Sequence, residues 1–200
     1  MLNYARLLAA TSALCAGAVM AQAAVPDAAT APAGLTGTAQ SPEFRPELKS
    51  ALPQARLIGK ARLAVWGFQI YDARLWVQPG FGAATYTRAP LALELDYLRG
   101  FSAAEVAERS IKEMRRSVPI SDAQASQWKA DMLRVIPDVQ KGDRILGVYQ
   151  PGVGASFWFN GKSSGDVKDA EFARLFFGIW LSPTTSEPQL REALLAGAAR

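Results

Sequence analysis

The chain has 200 residues, 22 Lys and Arg against 18 Asp and Glu, a net charge of +4, one cysteine and no histidine. The basic residues are interspersed with acidic ones, so the concentrated basic footprint of a nucleic-acid binder is missing and no nucleic-acid partner is expected. Without histidine, a Ser-His-Asp triad and imidazole-based metal centres are excluded, and no acidic loop has calcium-binding spacing. No glycine-rich nucleotide fingerprint occurs, so neither a metal nor a cofactor is expected.

Residues 1–23 have the pattern of a secretory signal peptide. Arg6 carries the early positive charge, Leu7 to Met20 is uncharged, and Ala21-Gln22-Ala23 is the small-x-small site. The apolar run is about 14 residues, short of the roughly 20 that span a bilayer, so cleavage near Ala23 is expected rather than an anchor. Cys15 lies inside that run and is preceded by Leu14, which argues against lipidation. The mature chain then has no cysteine, no disulfide and no membrane span, and relies on its core for stability. The expected address is the periplasm of a Gram-negative cell.

Residues 24–53 are rich in Ala, Pro, Thr and Gly, and read as a flexible leader. One domain is expected over 54–200. Arg56 to Val77 reads as a hairpin turning at Trp66-Gly67. A tight loop there pairs Val65 with Phe68, Leu63 with Ile70 and Arg62 with Tyr71, making the last two cross-strand neighbours.

Leu91 to Tyr97 alternates, with Leu91, Leu93, Leu95 and Tyr97 on one face and Ala92, Glu94 and Asp96 on the other. The two carboxylates could serve as general acid and base, but read more simply as the polar side of an amphipathic strand. Ser102-Ala-Ala-Glu105 is a capping box opening a helix to about Arg116, in which Arg109 and Glu113 are spaced to pair. Ser121 caps a second helix that Pro137 stops. Strands follow at Arg144 to Gln150, Ala155 to Phe159 and, after the Asn160-Gly161 turn, Ser163 to Val167. Asp169 caps an apolar helix, Phe172 to Leu181, and Ser186 caps the last one, with Pro188 in its first turn. Strands, helices, strands and helices in that order indicate α+β, an antiparallel sheet covered on one face by helices.

Four segments, in order, resemble the chalcone-isomerase-like family. They are Gly59 to Arg62 with Val65, Gly67, Tyr71 and Leu75-Trp76-Val77; Leu91 to Tyr97 with Phe101-Ser102; Gly142-Asp143 to Asn160-Gly161; and Glu171-Phe172 through Gly178-Ile179-Trp180-Leu181 to Leu194-Leu195. The closest subgroup in pattern is the short exported bacterial members. The resemblance implies an open-faced β-sandwich with a cleft between sheet and helices. In the enzymes that cleft cyclises a chalcone; in fatty-acid-binding relatives it holds an acyl chain whose carboxylate meets an arginine and a tyrosine. Arg62 and Tyr71 occupy those two places. The positions of the enzymes' other polar contacts fall near Ser102, Arg109 and Ile179, where the residue types differ, so chalcone isomerisation is not expected.

The expected function is therefore non-catalytic binding of a small apolar or aromatic acid. Arg62 and Tyr71 would hold the acid, in a cleft lined by Ser102, Arg109, Phe176 and Ile179. Two alternatives stand beside it: an isomerase or lyase acting on a conjugated ketone, with Arg62 facing an oxyanion, and an envelope assembly protein with no small ligand.

Overall fold

The computed structural model describes residues 45–199, so the signal peptide, Cys15 and the leader up to residue 44 lie outside the described residues. Six strands form one antiparallel sheet in sequence order: β1 (Arg56–Val65), β2 (Phe68–Val77), β3 (Leu91–Tyr97), β4 (Arg144–Gln150), β5 (Gly154–Phe159) and β6 (Lys162–Val167). Four helices cover its inner face: α2 (Ala103–Met114), α3 (Asp122–Val135), α4 (Ala170–Leu181) and α5 (Pro188–Leu194). This is the expected α+β architecture. None of the helices described is long and apolar enough to cross a membrane.

The helix starts follow from their caps. Ser102 and Glu105 form a reciprocal capping box on α2, and the Ser121 side chain accepts from the Gln124 amide on α3. Asp169 accepts from the Glu171 and Phe172 amides on α4, and its other oxygen takes the Trp128 indole N–H at 2.8 Å, tying α3 to α4. The last helix differs from expectation: its N-cap is Glu187, without a side-chain cap, and Ser186 lies one residue earlier.

The β1–β2 hairpin turns at Trp66 and Gly67 as expected, both with positive φ, and Val65 pairs with Phe68. Beyond that pair the register departs from the simple ladder. Ala64 pairs with Gln69 and Leu63 with Tyr71, so Ile70 is an extra, bulged residue on β2. Arg62 then faces Asp72, not Tyr71. A slip of one residue reverses the face on which each side chain sits relative to its partner.

The outer face carries a second, smaller apolar cluster. Leu48 and Leu52 pack there on Trp76, Ala92, Leu146 and Val148. Both belong to the start of the described chain, where α1 (Pro46–Ala51) forms within the expected leader. The order therefore begins before residue 53. Pro46 pre-sets the first turn, and Leu48 and Leu52, one helical turn apart, supply an apolar stripe. Beside them Glu94, 0% exposed, is held by Arg45 at 2.5 Å, Arg74 at 2.9 Å and Arg144 at 3.0 Å. Arg144 also reaches Glu47 of α1 at 2.8 Å, and Arg74 pairs with Asp96. Burial alone would raise the Glu94 pKa, but the hydrogen bonds and charges of Arg45 and Arg144 outweigh it and hold the carboxyl below the ordinary glutamate range.

Two predictions follow from these contacts. Glu94 has a folded pKa below its unfolded one, so it stabilises the fold above pH ~4.5 and that contribution is lost as pH falls through the folded value. Glu94→Gln should cost ~3–5 kcal/mol by urea unfolding at pH 7, because three arginines lose their shared counter-charge, and the deficit should shrink in acid. Gly59 is a backbone contact: a Cβ there would lie 2.0 Å from the Leu194 carbonyl oxygen of α5. Gly59→Ala should lower the urea midpoint by the equivalent of ~1–3 kcal/mol, since β1 or α5 must shift to admit it.

Candidate functional site

Inward-facing residues of the sheet and the apolar faces of the helices do not close completely on each other. Between them lies a cavity of ≈ 380 Å³. Leu93, Leu95, Ile145, Gly147 and Phe157 form its floor on the sheet, and Phe176, Phe177, Ile179 and Trp180 of α4 form its roof. Val106, Arg109, Ser110 and Glu113 of α2 and Leu190 of α5 close two sides. The hairpin contributes Leu63, Val65, Ile70 and Tyr71 together, because the bulge adds Ile70 to the wall. Gly147 leaves the floor open for two rings: a Cβ there would meet Phe177 at 3.2 Å and Phe157 at 3.3 Å. The aromatic roof is pre-packed, with Phe172 stacked on Phe176 and Phe176 edge-on to Phe157, Phe177 and Trp180.

Polar groups on this wall are few. The Trp180 indole donates to the Tyr71 hydroxyl at 2.9 Å, and the Ser110 hydroxyl donates to the Val106 carbonyl at 2.8 Å. Tyr97 lines the cavity beside Tyr71, its cross-strand partner, with ring centroids 6.0 Å apart in an edge arrangement. Burial pushes both phenols well above their ordinary pKa, so both remain protonated donors at neutral pH. Arg109 carries the positive charge on this wall, bound to Glu113 at 2.9 Å, and Glu105 and Glu187 add negative charge.

The structure divides the expected site residues between two faces. Tyr71, Arg109, Phe176 and Ile179 border one cavity. Arg62 does not. Its side chain is 48% exposed and makes a bidentate pair with Asp72, at 2.6 and 2.8 Å, and a 3.1 Å bond to Gln69. The hydrogen bond from Arg62 holds the Asp72 carboxyl below its usual range. The pairing of Arg62 with Tyr71 is thus corrected by the Ile70 bulge, and the oxyanion role given to Arg62 in the isomerase alternative loses its cation. Ser102 is also outside the wall, where its side chain caps α2. Glu94 and Asp96 point away from the cavity into the arginine cluster, with the charges of ion pairs rather than of an acid–base couple. Tyr97 was not singled out by sequence, although the alternation of β3 places it on the buried face.

The comparisons with known proteins agree with this geometry. A family model described as chalcone isomerase-like matches residues 54–196. The chain is 29% identical over 141 residues to an uncharacterized protein of Haemophilus influenzae, covering 69% of this chain and 66% of that protein. The chain thus spans just under two thirds of that relative's length. Its fold is similar to the crystal structure of a fatty-acid binding protein of Arabidopsis thaliana, with a TM-score of 0.56 at 13% identity, over 72% of this chain and 87% of that one. With the family model matching most of its length and the sheet, helices and cleft in place, the chain belongs to the chalcone isomerase-like family.

Proposed function

We propose that this protein is a non-catalytic binder of a small, mostly apolar acid of the fatty-acid kind, held between the sheet and the helices. The observation that carries the reading is the ≈ 380 Å³ cavity with an almost wholly apolar wall. Its volume lies in the range of small-ligand sites, and its polar groups include Tyr71, Tyr97 and Arg109, with Glu105, Glu113 and Glu187 bordering it. A cavity left open inside a protein forfeits packing contacts, so an apolar occupant regains them. The fatty-acid binding neighbour supports the same ligand class through a shared fold.

With Arg62 tied to Asp72, the cation available to an acid in this cavity is Arg109. It must then divide its guanidinium between the ligand and Glu113. The reading as a binder rather than an enzyme rests on Ser102, Arg109 and Ile179, where the residue types differ from those the resemblance implies for the enzymes; on the wall itself both phenols are held protonated and Ser110 donates to backbone. The signal-peptide pattern of residues 1–23 supports export, which fractionation and N-terminal sequencing of the mature protein will test.

Purified protein, extracted with organic solvent, should release medium-chain or aromatic acids by mass spectrometry, and delipidated protein should bind decanoate saturably. Absence of both would overturn the reading. Arg109→Ala should weaken decanoate binding by ~1–2 kcal/mol, the low end for a charged hydrogen bond because Arg109 is exposed. Glu113→Gln should strengthen it by removing the competing carboxylate. Arg62→Ala should leave it unchanged; a loss equal to that of Arg109→Ala would return the site to the other face.

A further inference from the structure

The β1–β2 and β5–β6 hairpins close on the same backbone geometry with different residues. Trp66 and Gly67 have φ of 50° and 81°, and Asn160 and Gly161 have φ of 49° and 82°. Positive φ at both central residues matches the twist of a hairpin and favours Asn-Gly. Asn160 also serves the fold: its side chain accepts from the Arg144 amide at 2.8 Å and donates to Asp143 at 2.8 Å. Trp66 is the opposite case. A bulky side chain at positive φ is strained, and its ring stands 94% exposed, so no packing offsets the strain. Phe68, directly after the turn, is 58% exposed, and the Arg99 guanidinium lies over its ring, 4.6 Å from the centroid. Strain that the fold does not need points to a role outside the fold.

We propose that this hairpin tip docks the protein on a phospholipid bilayer, with Trp66 and Phe68 in the interfacial layer and Arg99 at the level of the lipid phosphates. An indole suits that layer, since its rings are apolar and its N–H finds water or lipid oxygen. Shape favours a bilayer over a protein. A stable protein interface covers about 800 Å² on each partner, whereas the tip offers two aromatic residues on a projecting turn. Among the described residues the other exposed large hydrophobics do not extend it. Val153 is in the β4–β5 turn at the opposite end of the sheet, and Leu133 is on α3, which packs on β6 at the far edge from β1. A bilayer needs no matching surface. The same hairpin is also one lip of the cavity: Val65, which pairs with Phe68, and Ile70 line it and are half-buried, while Leu93, Leu95 and Phe157 of the floor are buried. Docking the tip brings that lip to the bilayer, where an apolar acid is concentrated; this consequence rests on the proposed binding function, and the docking itself does not. Glu105 and Glu187 border the cavity as well, so docking draws on aromatic insertion more than on lipid charge, and phosphatidylcholine alone should suffice.

The test compares the full chain with Trp66→Asn on phosphatidylcholine vesicles carrying brominated acyl chains, which quench any indole that reaches them. Residues 1–44 are the same in both chains, so the difference between them reads the tip. The parent's fluorescence should be quenched and that quenching lost in Trp66→Asn. By co-sedimentation the variant should partition onto the vesicles roughly tenfold more weakly, the loss of one large apolar side chain. Asparagine is the residue this turn prefers, so the thermal midpoint of Trp66→Asn should equal or exceed the parent's. Equal partitioning of the two chains, a parent that stays free of the vesicles, or a lower midpoint in Trp66→Asn would overturn the docking. Capture of an envelope protein at position 66 without vesicle binding would assign the tip to a protein partner instead. Decanoate affinity in vesicle-free solution should be the same in both chains. Vesicle docking without decanoate binding would remove the binding function and leave the docking standing; decanoate binding without a vesicle difference would remove the docking alone.

Discussion

The division of Arg62 and Tyr71 between two faces of the sheet depends on one irregularity, the bulge at Ile70. Were the β1–β2 ladder regular, Arg62 and Tyr71 would be opposed on a single face. The extra residue moves Arg62 opposite Asp72 and leaves Tyr71 opposite Leu63, facing the helices. Sheet periodicity is two, so one residue is enough to send a cation and a phenol to opposite sides. The same bulge brings Ile70 into the cavity wall and thereby keeps the hairpin end of the site apolar.

From that partition follow two chemically distinct faces. The outer one concentrates charge: Glu94 is wholly buried among Arg45, Arg74 and Arg144, and α1 lies across it through Leu48, Leu52 and Glu47. A buried carboxylate is tolerable there because several cations share it, and its net effect is to fix α1 and the sheet in one arrangement more than to add stability beyond an apolar core. The inner one concentrates apolar surface and leaves a space in it, with two phenols, the Arg109–Glu113 pair, Glu105 and Glu187 among its polar features.

Much of the fold was legible in the sequence because the signals were local. The Ser102 capping box, the Asp169 cap, the Asn160-Gly161 turn and the alternation of Leu91 to Tyr97 each act within a few residues, and each appears where expected. The bulge was not legible, since Val65, Phe68, Ile70 and Tyr71 are apolar enough to satisfy either register. The helix α1 was missed because its two leucines sit in an Ala- and Pro-rich stretch and draw their order from Trp76 and Leu146, distant in sequence. At the site, the sequence marked Tyr71, Arg109, Phe176 and Ile179, which do border one cavity, and set Arg62 and Ser102 beside them, which do not. Tyr97 is marked in the sequence only by its place on the buried face of β3, where a tyrosine reads as core as readily as cavity wall.

The most direct test of this account is where a bound chain lies. Intermolecular NOEs from uniformly carbon-labelled decanoic acid to the full-length protein would locate it. The account predicts contacts from the chain methylenes to Phe157, Phe176 and Ile145, with the carboxyl end nearest Arg109 and Tyr71. Contacts instead to Trp76, Leu146 or the methylenes of Arg62, on the opposite face of the sheet, would contradict it.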